Sequence, residues 1–343
     1  MVWHRRAHDA ARHPLDWRLQ VLIMGPISRR CIEAVALAAL CLMPVVACQP
    51  RRPAATPSSS GGERPAEIAQ LWIDPEVDRD LFHGAGGARL APNPKALFRV
   101  TQVKIGGFSA GYNVVDDQNR RWSAKFPPEA SPEVTVARIL WGLGYHQPPV
   151  YFLPEWQARG ADLPNPQYPA RFREFDPDFH GMAYKGNWSF YDNPFLGTRE
   201  LNGLLVVQAM LGNSDVKDSN NGLFELKTPA ESATLWYVVV DTGHSFARST
   251  NTEPVGGDVA VFEKRRFIVS SANGTVALNI QGKHRGLFDR IPAEHVVWVC
   301  ERLNRLTDEQ WRDAFRAGGY EPATGARFIA KMKAMAAEGL ALR

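Results

Sequence analysis

Residues 97 to 126 contain three short runs of strand-forming residues separated by two turns, and this pattern restricts the fold more than any other part of the chain. The runs are LFRVTQVKI, GYNVVDD and RRWSAKF. GGFSAG joins the first two, and DDQN, a sequence typical of hairpin turns, joins the last two. Because connections this short join neighbouring antiparallel strands, the pattern predicts a β-meander.

Helical patterns follow the meander. Ser131-Pro132-Glu133 combines a capping serine, a proline suited to the first helical position and an acidic first turn, and Gly144 indicates where that helix ends. Residues 198 to 211, TRELNGLLVVQAML, are strongly apolar and predict a buried helix.

The rest of the chain divides into an irregular segment, two strands and a helical end. Residues 157 to 181 are rich in Pro, Arg and Asp and are interpreted as a surface insertion. FEL and LWYVVVD are expected to be strands. Three helices are predicted near the C-terminus: PAEHVVWVCERLNRL, TDEQWRDAFRAGG and roughly 324 to 341. Thr307 and Gln310 form a capping-box pattern, and Gly318-Gly319 predicts a helix stop. A β-rich N-terminal half therefore precedes a helix-rich C-terminal half.

The N-terminus has the pattern of a targeting segment. Residues 24 to 48 combine two arginines, a short apolar core and the ending VVAC, which resembles a bacterial lipobox with Cys48 as the lipidated residue. Residues 1 to 23 are interpreted as an over-extended start and residues 49 to 67, rich in Pro, Ser and Gly, as a flexible linker. The expected location is the periplasmic side of the bacterial cell envelope, with the membrane contacted through the lipid. An uncleaved N-terminal membrane anchor is the alternative.

Composition limits the possible classes of function. The chain has 343 residues, 45% hydrophobic and 22% charged, with a formal charge of +4. This is ordinary globular composition, and the small charge predicts no nucleic-acid partner. Three of the four cysteines lie in the leader, so Cys300 is alone in the body of the protein. A zinc site built on cysteine pairs is thereby excluded, and Cys300 is expected to be a small buried hydrophobe. The absence of G-x-S-x-G and H-E-x-x-H motifs gives a hydrolase little support.

Polar residues suited to phosphoryl transfer occur in a fixed order along the chain. They are Lys125 at the end of the third run, Glu133 in the next helix, Asp215, Lys217 and Asn220 in GNSDVKDSNNG, and Asp241 at the end of an apolar strand. Phosphoryl transfer needs cations on the phosphates, oxygen ligands on Mg²⁺ and a group that orients the acceptor hydroxyl. This set contains each type of group.

The spacing of these residues resembles that of protein kinases. D-x-K-x-x-N at 215 to 220 matches the kinase catalytic loop, and Asp241-Thr242-Gly243 is similar to the kinase D-F-G. The resemblance spans roughly residues 95 to 320 and implies a two-lobed α+β fold over 68–343. The smaller, β-rich lobe would cover about 68–155 and the helix-rich lobe about 156–343. The chain also resembles atypical kinase domains and bacterial secreted proteins that share the D-x-K-x-x-N and D-x-G pattern.

The resemblance implies a role for each residue and a pair of cofactors, ATP and Mg²⁺. Lys125 would contact the α- and β-phosphates with Glu133 as its partner. Asp215 would be the catalytic base and Lys217 would contact the γ-phosphate. The metal would be held by Asn220 and Asp241, and the phosphates would be covered by a glycine hairpin of Gly106, Gly107 and Gly111. The transferred group, phosphoryl or nucleotidyl, is left open, and so is the acceptor, whether protein, sugar or lipid.

Departures from the kinase pattern keep a second interpretation open. Asn213-Ser214 stands where kinases usually have His-Arg, Thr242 replaces phenylalanine, and no A-P-E segment follows Asp241. A non-catalytic envelope lipoprotein on the same fold is therefore the alternative to a phosphotransferase. By itself each motif also has a plain structural interpretation. D-x-K-x-x-N could be an Asn- and Asp-rich turn, Lys125 a strand-end lysine, Glu133 a helix-start carboxylate and GGFSAG a hairpin turn. His244 is interpreted as a structural histidine.

Overall fold

The structure is a computed structural model that describes residues 65–104, 106–160, 167–174, 181–230, 233–246 and 258–343. The predicted over-extended start, signal peptide and Cys48 lie outside the described residues, as does the predicted linker up to residue 64. The linker was expected to continue to residue 67, but a short helix, α1 (Pro65–Ile68), begins before that. No helix among the described residues is long and apolar enough to cross a membrane.

The predicted meander forms part of a six-stranded sheet. Its strands are β1 (Leu97–Lys104), β2 (Gly111–Val115), β3 (Arg121–Lys125), β4 (Val150–Leu153), β5 (Gln157–Arg159) and β6 (Ala170–Glu174). Their order is β4-β6-β3-β2-β1-β5, and every pair is antiparallel except β1 with β5. Alternate residues of these strands point to one face, where Phe98, Trp122 and Phe172 pack into a core.

Asp116 holds the turn between β2 and β3. Its carboxylate accepts hydrogen bonds from the backbone N–H groups of Gln118 and Arg120, from the Arg120 guanidinium at 2.6 Å and from the Trp122 indole at 3.0 Å. Asn119, within the turn, has a φ of 61°. This is the left-handed conformation that asparagine tolerates, so the DDQN sequence fits the turn it was expected to form.

The interpretation of residues 157 to 181 as a surface insertion is wrong for β6. This strand lies between β4 and β3 inside the sheet, and Arg171 and Phe172 are fully buried. The sheet therefore continues to Glu174, past the lobe boundary expected near residue 155. RFRE was not recognised as a buried strand because its alternate residues are arginines, whose charges are neutralised by a partner far away in the sequence.

The helix predicted with Ser131 as its cap is α2 (Ala130–Gly142), which begins two residues before Pro132, the expected first helical residue. The residue before it, Glu129, makes no side-chain cap bond, so Ser131 is not the cap. Almost every residue of α2 is buried, because the helix packs between the sheet and the C-terminal helices. Gly144 follows the helix with a φ of 100°, and a Cβ there would lie 2.1 Å from the Ile73 carbonyl oxygen. Glycine is required at this helix end.

The C-terminal lobe contains two small sheets and the remaining helices. The strands are β7 (Met182–Gly186), β8 (Asn221–Ala230) and β9 (Ala233–Val239), which form one antiparallel sheet, and β10 (Ile268–Ala272), β11 (Thr275–Leu278) and β12 (Ile291–Pro292), which form the other. The helices are α3 (Arg199–Leu211), α4 (Val259–Glu263), α5 (Ala293–Arg305), α6 (Asp308–Ala317) and α7 (Pro322–Leu340).

Helix α3 is buried on nearly all sides, as its composition predicts, and it forms the centre of this lobe with α5 and α7. Thr198 caps its start by accepting a hydrogen bond from the Leu201 N–H, and Gly212 ends it with a φ of 67°. The capping box of Thr307 and Gln310 is confirmed at the start of α6. Cys300 is fully buried on α5, as expected.

The fold is thus the two-lobed α+β architecture that the resemblance implies: a small β-rich N-terminal lobe and a helix-rich C-terminal lobe. A second boundary also differs from the expected one, since residues near the start of the described chain belong to the core of the larger lobe. Trp72 packs edge-on against Trp298 of α5, with ring centroids 5.3 Å apart.

Candidate functional site

Lys125, the last residue of β3, is the point where three parts of the fold meet. Its Nζ lies 3.0 Å from a carboxylate oxygen of Glu133 on α2 and 3.0 Å from one of Asp241, which follows β9. Glu129, just before α2, lies at 3.6 Å. The structure thereby brings together the lysine and the glutamate that the resemblance pairs. Glu129, one helical turn before Glu133, is a second carboxylate near the same amine.

Glu133 is 2% exposed and is held by more than the lysine. Arg171 of β6 approaches its carboxylate with Nε at 2.9 Å, and Arg173 with Nη1 at 3.4 Å. A buried carboxylate is costly unless it is paired and hydrogen-bonded, so the two arginines account for its position. Sequence reasoning missed both because they lie about forty residues away in a strand that it did not predict.

Asp241 is kept ionised by the surrounding cations. Burial by itself would raise the pKa of Asp241, but the charges of Lys125 and Arg173 outweigh burial and lower that pKa to about 2. The backbone around it is also fixed, because the N–H groups of Val240 and Asp241 both donate to the Asn220 carbonyl, at 2.9 and 3.3 Å. The end of β9 is therefore tied to the D-x-K-x-x-N loop.

That loop begins where α3 ends, and Asn213 anchors it. The Asn213 side chain is fully buried and donates to the Gln208 Oε1 at 2.8 Å, while its Oδ1 accepts from the backbone N–H of Asp215 at 3.1 Å. The asparagine that replaces the usual kinase residue therefore has a structural role here, because it orients the backbone that carries Asp215.

Asp215, Lys217 and Asn220 lie side by side. The Lys217 amine is 2.7 Å from Asp215 Oδ2, and the Asn220 amide donates to the backbone oxygen of Asp215 at 2.7 Å and to its Oδ2 at 3.0 Å. The neighbouring Asp218 instead accepts a hydrogen bond from the Phe190 N–H. It is therefore a turn residue, as the sequence pattern indicates.

A cavity of about 470 Å³ opens between the two lobes at these groups. Its lining includes six predicted site residues, which come from both lobes: Gly106, Gly107, Lys125, Asp215, Lys217 and Asp241. Glu133 and Asn220 are not among the lining residues but hold those that are. Gly111 lies in β2 opposite Lys125, and a Cβ there would come within 2.1 Å of the Ala124 carbonyl oxygen. The close approach of two strands is what requires glycine at this position.

His244 and Glu129 also line the cavity, and neither was among the predicted site residues. His244 Nε2 lies 3.2 Å from Glu129 Oε1, and its ring packs edge-on against Phe108 of the glycine hairpin at 5.3 Å. The hydrogen bond with Glu129 raises the pKa of His244. The available sequence signals were the position of Glu129 four residues after Lys125 and that of His244 directly after Asp-Thr-Gly.

The donor set suits Mg²⁺ only in part. Within the described residues no three His, Cys, Asp or Glu side chains are grouped as a metal site would require. Asp241 and Asn220 supply hard oxygen ligands, and Mg²⁺ is commonly held by one or two carboxylates together with substrate phosphates. These two residues therefore fit a metal that arrives with a phosphorylated ligand.

Comparisons with known proteins find similarity among solved structures. No protein-family model matches the chain, and no curated protein matches it. The structure is similar to the crystal structure of CtkA, a proinflammatory kinase of Helicobacter pylori, with 10% sequence identity and a TM-score of 0.43. The match covers 72% of this chain and 94% of that chain.

Proposed function

We propose that this protein is an atypical kinase-like phosphotransferase that moves a phosphoryl group from a Mg²⁺-bound nucleotide to an acceptor. One observation carries the proposal: Lys125 pairs with Glu133 and Asp241 at the wall of a cavity that Asp215 and Lys217 also line. These residues come from four separate parts of the chain. If these residues belonged only to unrelated turns and strand ends, we would expect them to be scattered over the surface and not to meet in one cleft.

Each residue has a role that follows from its position and charge. Lys125 binds donor phosphates, and Glu133 holds its amine in place. Asp215 accepts the proton of the acceptor hydroxyl as that oxygen bonds to the transferred phosphorus and the bond to the leaving nucleoside diphosphate breaks. Lys217 stabilises the charge on the transferred group. Asp241 and Asn220 would hold Mg²⁺, which would neutralise phosphate charge, and the low pKa of Asp241 keeps its carboxylate ionised at neutral pH.

Turnover by matched variants tests this proposal. Asp241→Asn should lower the rate of phosphoryl transfer from ATP by about 10²-fold or more, the scale of losing an electrostatic contact in the transition state. Asp289→Asn is the control, because Asp289 is an exposed aspartate in the same lobe. Equal activity in the wild-type protein and in Asp241→Asn would show that this carboxylate takes no part in the reaction.

A non-catalytic binding protein on the same fold is the second candidate. It is favoured by the internal partners of the acidic groups, since Asp215 is paired with Lys217 and Asp241 with Lys125. Under this alternative the pairs are structural. Nucleotide binding without measurable turnover, unchanged by Asp215→Asn, would favour it over the phosphotransferase.

The leader pattern adds a proposal about location. We propose that the mature chain is anchored to the envelope through a lipid on Cys48, outside the described residues. Labelled fatty acid should be incorporated into the wild-type protein and not into Cys48→Ser. Incorporation into both would place the anchor elsewhere.

A further inference from the structure

Lys104, the last residue of β1, lies in a row of cations that crosses the sheet. In the strand register, Lys104 lies opposite Gly111 of β2, Gly111 lies opposite Lys125 of β3, and Lys125 lies opposite Arg171 of β6. Directly paired residues of antiparallel strands point to the same face of a sheet. Gly111 has no side chain, so nothing from β2 stands between the two lysines.

Lys104 has no direct ion-pair partner among the described residues, although the more distant Glu133 carboxylate compensates part of its charge. Its Nζ donates to the Ser123 hydroxyl at 2.7 Å, and within the described part of the chain no carboxylate lies within 4.0 Å of it. The other two lysines that line the cavity, Lys125 and Lys217, both have ion-pair partners. Burial, followed by the charges of Arg171 and other neighbouring cations, lowers the pKa of Lys104 to about 8. An anion in the cavity would relieve this repulsion.

The sheet face above the cavity is polar over all three meander strands. Gln102, Asn113 and Ser123 occupy the same face as Lys104, and the Asn113 amide donates to the Gln102 oxygen at 2.7 Å. The apolar residues of these strands, such as Val114 and Trp122, point to the core on the other face. A planar base is bound mainly by apolar surface, and Phe108, which packs against His244, is the one large apolar side chain among the described lining residues. The sheet face itself offers cations and hydrogen-bond donors to phosphates.

We infer that Lys104 is a second phosphate-binding lysine and that the cleft recognises its donor through a chain of phosphates, with little discrimination between bases. This inference rests on the proposed function, because it specifies the ligand of the same cleft. The ligand class is a triphosphate, supplied either by a nucleoside triphosphate or by inorganic triphosphate.

Calorimetric titration of the full chain in the presence of Mg²⁺ tests the inference with three ligands: ATP, CTP and inorganic triphosphate. The wild-type affinities for ATP and CTP should agree within about 10-fold. Lys104→Met should weaken the binding of all three ligands by about 10-fold or more, the scale of losing one charge-assisted hydrogen bond. Lys104→Arg should retain binding because it keeps the charge. Lys95→Met, which removes an exposed lysine of the same lobe, should bind as the wild type does.

The outcomes separate this inference from the proposed function. Wild-type affinity in Lys104→Met, or a preference of about 100-fold or more for ATP over CTP, would overturn the inference and leave the phosphotransferase proposal intact. The inference would also be overturned if both Lys104→Arg and Lys104→Met lost binding while their melting curves matched that of the wild type. Binding would then not depend on the positive charge at position 104. Failure of all three ligands to bind the wild type would overturn both.

Discussion

At the scale of single residues, Lys125 is the most consequential side chain in the molecule. Three carboxylates, from Glu129, Glu133 and Asp241, lie within 3.6 Å of its amine. Lys125 is 15% exposed and Glu133 is nearly inaccessible, so the group of charges is largely removed from water. In such surroundings a missing partner costs far more than an exposed ion pair would contribute.

Replacing this lysine should therefore affect stability as well as ligand binding. Lys125→Met leaves the carboxylates with less compensating charge, and we expect the free energy of unfolding at pH 7 to fall by about 3 kcal/mol. Urea denaturation measures this, with Lys95→Met as the control expected to change by less than about 0.5 kcal/mol. Equal stability of the two variants would show that the ion pairs of Lys125 contribute nothing to folding.

His244 should give stability a dependence on pH. Its pKa in the folded protein is raised above the usual value, chiefly by the hydrogen bond with Glu129 and further by the charges of Asp215 and Asp241. The contribution of His244 to the free energy of unfolding is therefore fully present below about pH 6.5, and it is lost as pH rises through the pKa that His244 has in the folded protein.

The check is the difference in unfolding free energy between wild type and His244→Gln. This difference should be larger at pH 5.5 than at pH 9, when both proteins are unfolded in urea at each pH. A difference that stays constant between these values would mean that His244 does not change its protonation state on folding in this range.

At the scale of helices and strands, most local signals were reliable, although the predicted Ser131 cap was wrong. The meander, the capping box of α6, and the end of α3 at Gly212 follow from residues adjacent in sequence, whose turn and cap chemistry is local. Strand β6 was missed because its burial depends on Glu133, a partner distant in sequence. Arg171 and Arg173 look like surface residues until that carboxylate is placed beside them.

The capping box of α6 supports a prediction at this scale. Thr307 accepts from the Gln310 N–H at 3.1 Å, and the Gln310 side chain accepts from the Thr307 N–H at 3.0 Å. Thr307→Ala should lower the free energy of unfolding by about 1 kcal/mol. Ser271→Ala, which removes an exposed hydroxyl on β10, is the control in the same urea titration. Equal midpoints for both variants would contradict a stabilising cap.

At the scale of the whole molecule, the order of motifs along the chain predicted which residues lie close together in the cleft. Lys125, Asp215 and Asp241 were predicted site residues, and the structure brings them to one cavity. Lys104 and the two arginines of β6 could not be predicted, because their proximity to the cleft arises from cross-strand register and from lobe packing. Both are long-range properties that no local pattern encodes.

The central claim is that this cleft binds a Mg²⁺-nucleotide, and equilibrium binding tests it most directly. Calorimetric titration of the full chain with ATP should show binding at millimolar ligand or below that strengthens when Mg²⁺ is added, because Asp241 and Asn220 would share the metal with the phosphates. Asp241→Asn should lose most of the Mg²⁺ effect. No heat of binding at millimolar ATP, with Mg²⁺ and without it, would contradict the account.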